Sequence, residues 1–176
     1  LTSHAGVADA AIQPVDYALL DPSAFSTAEA RQALTTPFTA GAEYETTLQD
    51  LDCEPGAFDV VWATHALYAI PPDELATALA RFVHAMGHGG EGGIRGAGFI
   101  AHAGAQSHYL RFYRHYLDGF KEGVGVPFSS SEQILAALTQ LGVTFETREI
   151  AYTNGAAADG ERQVERYLQR CLFDGT

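Results

Sequence analysis

Cysteine and basic residues are scarce in this chain. Its 176 residues include two cysteines, one methionine and one tryptophan, and ten Lys and Arg stand against 22 Asp and Glu, for a formal charge of −12. Phosphate binding needs clustered cations, so a nucleic-acid partner or an anionic membrane surface is disfavoured. The short mixed run from Arg111 to Arg114 does not reverse that balance. Cys53 and Cys171 lie far apart without metal-ligand spacing, which points to a reducing compartment rather than a disulfide framework. No apolar run approaches the roughly 18 to 20 residues of a membrane span, and no signal peptide is evident. A cytoplasmic protein is expected. The chain opens on Leu1 and ends at Thr176 with no obvious terminal element, so it reads as a fragment of one domain.

What is present is an alternation of short apolar runs and amphipathic segments. Residues 1–13 look like the tail of a helix, and Val15 to Leu20 reads as a buried strand ending at Asp21. Ser26 and Glu29 have capping-box spacing and predict a helix through Leu34. A short strand is expected near Phe38 and Thr39, and Pro55-Gly56 marks a turn. Phe58 to Ala63 is the clearest strand, apolar on both faces.

Pro71 and Pro72 suit a first helical turn, with Asp73 and Glu74 favoured there by the helix dipole. Leu75, Leu79, Phe82 and Val83 form the stripe of that helix, and Gly87 ends it. A glycine-rich connection, Gly87 to Gly98, leads to a strand over Gly98 to His102. Residues 107–120 predict an aromatic amphipathic helix. Ser130 and Gln133 cap another helix, which Gly142 stops. Val143 to Tyr152 is a β-rich run, Asn154 to Gly160 a loop, and Gln163 to Leu172 a final helix. Strands alternating with helices imply βαβ units, and hence an α/β fold with an open, mainly parallel sheet and helices on both faces.

Ligands of open α/β sheets bind beyond the carboxyl ends of the strands. That rule singles out Asp21 and the Thr64-His65 pair. Asp21 suits either a ribose diol or the cap of the turn through Pro22 and Ser23. Thr64 and His65 suit either a cofactor and amine or a plain strand cap. Tyr109, Phe112, Tyr113 and Tyr116 recur at helical spacing, as core or as a pocket wall open to a cationic amine. His84 and His88 are spaced i, i+4 but lack the carboxylate of a zinc motif, so no metal site is expected. The GGEGGIRGAG run lacks the GK[ST] of a phosphate loop.

Taken together, ALLDPS, FDVVWATHALYAI, the proline-led helix and the glycine-rich turn resemble the class I S-adenosylmethionine-dependent methyltransferases. The likeness spans most of the chain and implies a single Rossmann-like domain. DPS resembles the acidic end of that family's second strand, and FDVVWATHALYAI its fourth strand and following loop. The family's first strand and glycine-rich loop would fall ahead of Leu1. A closer resemblance is to histamine N-methyltransferases, through His65-Ala66-Leu67-Tyr68-Ala69, the helix SHYLRFYRHY, the segment FSSSEQILAALTQLGVTFE and the closing YLQRCLF.

The resemblance implies S-adenosylmethionine as cofactor, held by Asp21, Ser23, Thr64 and His65, with Glu45 or Thr46 near the adenine. It implies a small amine substrate contacted by Tyr68, Tyr109 and Tyr113, with His65 as the catalytic residue. A nucleotide-dependent oxidoreductase is the rival enzyme, although Lys121 is the only lysine and the tyrosine-lysine pair of a short-chain reductase is not evident. A degenerate, non-catalytic binding domain of the same fold is the other alternative.

Overall fold

A computed structural model describes residues 13–86, 96–153 and 160–172. The elements run β1 (Val15–Leu20), α1 (Ala24–Ala33), β2 (Phe38–Tyr44), β3 (Val60–Thr64), α2 (Leu75–Ala85), β4 (Ala97–Ala101), α3 (His108–Phe120), α4 (Ser131–Gln140) and α5 (Glu161–Leu172). The expected helix tail over residues 1–12, the stop at Gly87, His88, the glycine-rich connection over 87–95, the loop over 154–159 and the last four residues lie outside the described residues.

The fold is mixed α/β, and both strand pairs are parallel. β1 pairs with β2 in the register Val15↔Phe38, with an irregularity between Tyr17 and Leu19. β3 pairs with β4 in the register Val60↔Ala97 through Thr64↔Ala101. The expected single open sheet is instead two two-stranded ladders among the described residues, because no ladder joins β1 to β3.

One face of the β3–β4 ladder is packed and the other is open. Val61, Ala63 and Ile100 join Leu75, Leu79, Phe82 and Val83 of α2 in the main core, as that helix's stripe predicts, with Ile134, Ala137 and Leu138 of α4 in the same cluster. Gly98 allows the close approach: a Cβ there would meet the Phe82 ring at 2.7 Å and the Met86 sulfur at 2.9 Å. On the opposite face the rings of Trp62 and Phe99 pack at a tilt of 41°, 5.8 Å between centroids, and remain 58% and 53% exposed. The expectation of helices on both faces is therefore not met by this ladder among the described residues.

Local boundaries moved for identifiable reasons. Ser23, not Ser26, caps α1, its side chain accepting the Ser26 N–H, so the helix begins three residues earlier than the capping-box spacing suggested. α2 begins at Leu75 because Pro71 to Glu74 closes a turn, the Glu74 N–H reaching the Pro71 carbonyl at 3.0 Å. β2 is longer than the two residues expected; the small run Ala40-Gly41-Ala42 hides its periodicity, and pairing with β1 supplies the order.

α4 follows the sequence closely. Its capping box joins Ser130 and Gln133, and Gly142, at φ 72, donates to Thr139 while Val143 donates to Leu138. That is the double bond of a Schellman ending, for which glycine is the favoured residue. The β-rich run Val143 to Tyr152 forms no strand, and Ile150 is 73% exposed. Strand propensity reflects packing against neighbours on a sheet, and this segment has no ladder partner. No helix among the described residues is long and apolar enough to cross a membrane.

Replacing Gly98 by alanine drives a methyl into the Phe82 ring and the Met86 sulfur. Overpacking of this kind costs about 1–3 kcal/mol, to be read as a lowered midpoint in urea unfolding.

Candidate functional site

The carboxyl end of β3 bends sharply at His65. Its N–H continues the ladder to the Ala101 carbonyl at 2.9 Å, and its backbone then adopts φ 53. A non-glycine residue in the left-handed region is uncommon and tends to occur where function holds it. The bend leaves the His65 ring exposed and sends the chain inward to Leu67 and Tyr68, which are both 3% exposed.

Ser129 fixes that inward segment. Fully buried, it donates its N–H to the Tyr68 carbonyl at 3.2 Å and its hydroxyl to the Leu67 carbonyl at 2.9 Å. Its own carbonyl lies 2.9 Å from Nε2 of His102, which follows β4. Since a carbonyl only accepts, Nε2 carries the His102 proton and Nδ1 holds a lone pair. That Nδ1 is buried without a hydrogen-bond partner. Burial is the main cause that lowers the His102 pKa from 6.5; the Ser129 carbonyl opposes it, nearby His65 adds to it and Glu132 opposes it.

Tyr68 lies between the two histidines. Its ring packs 4.0 Å from that of His102, and its hydroxyl accepts the Ala103 N–H at 3.1 Å while lying 2.6 Å from Nδ1 of His65. Burial pushes the phenol up to about 12, the Ala103 N–H pulling the other way, so it stays protonated at neutral pH. Beyond it stands a wall of rings: Tyr109 at 4.8 Å from Tyr68, Phe128 at 5.6 Å, and Tyr113 stacked on Phe128 at 3.6 Å with an interplanar angle of 4°. Burial also raises the phenol of Tyr109, with Tyr68 contributing. Cys171 of α5 is buried beside these rings, its thiol pushed up by burial and drawn back by Tyr167.

The loop from β4 to α3 is pinned as well. Ser131 N–H reaches the Ala103 carbonyl at 2.9 Å, and both carboxylate oxygens of Glu132 accept the Ala105 N–H, at 3.1 and 2.9 Å. Hydrogen bonds, from Ser130 first, hold the Glu132 carboxyl below its usual range.

The sequence-predicted residues therefore fall into two groups. Thr64, His65, Tyr68, Tyr109 and Tyr113 gather around the ends of β3 and β4. Thr64 accepts a hydrogen bond from the Trp62 indole. Tyr68, expected to contact the substrate, is buried with its hydroxyl against Nδ1 of His65. Asp21, Ser23 and Thr46 belong to the other ladder, where the Asp21 N–H meets the Tyr44 carbonyl at 3.2 Å and ties the ends of β1 and β2 together. Asp21 does cap the turn, Oδ1 accepting the Ser23 N–H at 2.8 Å, and this leaves Oδ2 for another partner.

His102, Phe128 and Ser129 were missed. His102 had a signal, since it is a polar residue at the carboxyl end of a parallel strand, the rule that singled out His65. Phe128 and Ser129 open one of the segments that carry the resemblance, but they lie in a loop without periodicity, so neither was singled out for the site. Among the described residues no group of three His, Cys, Asp or Glu is placed to hold a metal ion. In comparisons with known proteins, no family model matches the chain and no curated protein matches it.

The His102 environment sets a pH dependence. Its folded pKa lies below the ordinary 6.5, so as pH falls the unfolded chain binds the proton first. Stability from this residue is therefore complete above about pH 7.5 and is lost from about 6.5 downward to the folded value. Thermal unfolding across that window is expected to give a falling Tm, and His102→Gln, which can keep a donor to Ser129, to remove that part of the slope. An unchanged slope in the variant would assign the loss to other groups.

Proposed function

We infer that this chain is a class I methyltransferase domain that transfers a methyl group from S-adenosylmethionine to the amine nitrogen of a small molecule. The strand pairing carries the reading. In the doubly wound order 3-2-1-4-5, strands 2 and 3 form one parallel pair, strands 4 and 5 another, and strand 1 separates them. β1–β2 and β3–β4 are two such pairs, with no ladder between them among the described residues. The resemblance assigns β1 to strand 2 and β3 to strand 4, and places strand 1 ahead of Leu1.

The polar groups fit the cofactor. Asp21, half-buried at the end of β1, keeps Oδ2 for a ribose hydroxyl while Ser23 and the turn hold Oδ1. Thr46 follows β2, on the adenine side by the same register. Thr64 and His65 end β3. When bound, the cofactor supplies an electrophilic methyl group.

The chain's own residues then have three tasks. The wall of Tyr109, Phe128 and Tyr113 holds a flat amine and keeps water from it, and the pinned loop of Glu132 keeps that wall in place. His65 orients the acceptor, with Tyr68 behind it setting the imidazole. In-line transfer to an uncharged nitrogen depends on position and desolvation, and the proton then leaves the methylated nitrogen for water. The charge of −12 draws a cationic amine toward the protein before it sheds its proton.

The cofactor half is tested by calorimetric titration of S-adenosylhomocysteine into the chain joined to the segment that the resemblance places ahead of Leu1. Binding is expected, with Asp21→Ala weakening it by about 1–3 kcal/mol, the range for a hydrogen bond to a charged group. No binding by the unaltered protein would sink the methyltransferase reading.

The substrate half is tested by Tyr113→Ala. The variant is expected to raise KM for the amine several-fold with little change in cofactor affinity, as loss of uniform substrate binding does. Unchanged kinetics would make the aromatic helix plain core.

A further inference from the structure

The hydrogen bonds around Tyr68 determine which nitrogen of His65 carries its proton. Three groups meet at one phenol oxygen. The Ala103 N–H, 3.1 Å away, can only donate. Nδ1 of His65, 2.6 Å away, can do either, depending on tautomer. The phenol supplies one hydrogen of its own, which it retains at neutral pH because burial holds its pKa near 12.

With Tyr68 buried, that hydrogen needs an acceptor, and His65 Nδ1 is the one within hydrogen-bond distance of it among the described residues. If Nδ1 carried a proton instead, the oxygen would face two incoming donors and its own hydrogen would be stranded in the interior. Buried donors are seldom left so. The Tyr68 O–H therefore donates to Nδ1, Nδ1 holds a lone pair, and the ring hydrogen sits on Nε2. Other groups do not disturb this pairing. His102, on the far side of Tyr68, is kept neutral by burial with its own proton committed to Ser129. The Tyr152 and Cys171 groups that act on Tyr68 both raise its pKa further.

Nε2–H is the part of His65 left for a ligand. The residue is exposed, its backbone is held at φ 53 by the bond to Ala101, and Nε2 has no partner among the described residues. We propose that His65 serves this site as a hydrogen-bond donor through Nε2–H, and that its ligand is a flat amine presenting an uncharged acceptor atom there, an oxygen or an unprotonated ring nitrogen. The ligand half rests on the methyltransferase reading; the tautomer does not. A general-base role is excluded in this state, since the imidazole offers the ligand no lone pair. Nor does the donor address the nucleophile, because a hydrogen bond to the reacting lone pair would block attack. It addresses a second atom of the same molecule and sets its orientation. The stacked rings of Tyr109, Phe128 and Tyr113 suit an aromatic body between the two.

Two measurements test this. Heteronuclear NMR of the imidazole nitrogens at about pH 8, above the ordinary histidine range, reads the His65 tautomer in the protein without ligand. The Nε2–H form is expected, changing to a mixture in Tyr68→Phe. An Nδ1–H form in the unaltered protein overturns the proposal, whether or not the Phe variant folds. The second measurement compares benzylamine with para-aminomethylpyridine, which has the same shape but carries a ring acceptor. The pyridine is expected to bind about three- to tenfold more tightly, the worth of one hydrogen bond, and to lose that preference in His65→Ala. Equal affinities, a preference that survives in the variant, or no binding of either probe overturns the ligand assignment. S-adenosylhomocysteine binding is scored separately on the same protein, so a failed cofactor site and a misassigned His65 give different results.

Discussion

Ser129 is the residue on which the rest of the site depends. It lies in no helix or strand, yet it is fully buried and all three of its polar groups are engaged, by the carbonyls of Leu67 and Tyr68 and the Nε2 of His102. Three segments far apart in sequence, the turn after β3, the end of β4 and the loop before α4, are joined there. Buried backbone carbonyls need partners, and those of Leu67 and Tyr68 leave the strand pairing just where the chain turns inward. Without Ser129 that turn would bury the Tyr68 carbonyl unmet and leave the Leu67 carbonyl only the 3.4 Å bond from the Ile70 N–H.

The consequence is a graded site. Behind lies a dry layer of Ser129, His102 and Tyr68, in which burial keeps the histidine neutral and the phenol protonated. In front lies exposed His65, whose chemistry the layer behind it dictates. To one side the rings of Tyr109, Phe128 and Tyr113 present aromatic faces. The unpartnered Nδ1 of His102 is the one unmet buried side-chain nitrogen or oxygen among the described residues, and it marks how far polar satisfaction gave way to the stacking of Tyr68.

Much of the fold was legible because its signals are local. The stripe of α2, the capping box and glycine stop of α4, and the apolar run of β3 each depend on residues within a few positions of one another; the first two stand where the sequence predicts them, and β3 runs Val60–Thr64 rather than Phe58 to Ala63. The misreadings were of the opposite kind. Val143 to Tyr152 has strand composition but no neighbouring strand, and Phe38 to Tyr44 has weak composition but a good neighbour in β1. A strand is completed by its partner, and propensity cannot supply one.

The site divides along the same line. From the sequence alone came the polar residues at strand ends, Asp21, Thr64 and His65, and the aromatic period that put Tyr109 and Tyr113 on one helix. These follow from topology and helical geometry, which act over short range. Only the tertiary structure decided that Tyr68 is buried behind His65, that Phe128 completes the wall of rings, and that His102 and Ser129 belong to the site. Those facts rest on hydrogen bonds and ring contacts between segments that span 35 residues from Tyr68 to Ala103 and 62 from Leu67 to Ser129. No periodicity encodes such pairings, because each is settled by which buried donor meets which buried acceptor once the chain has folded.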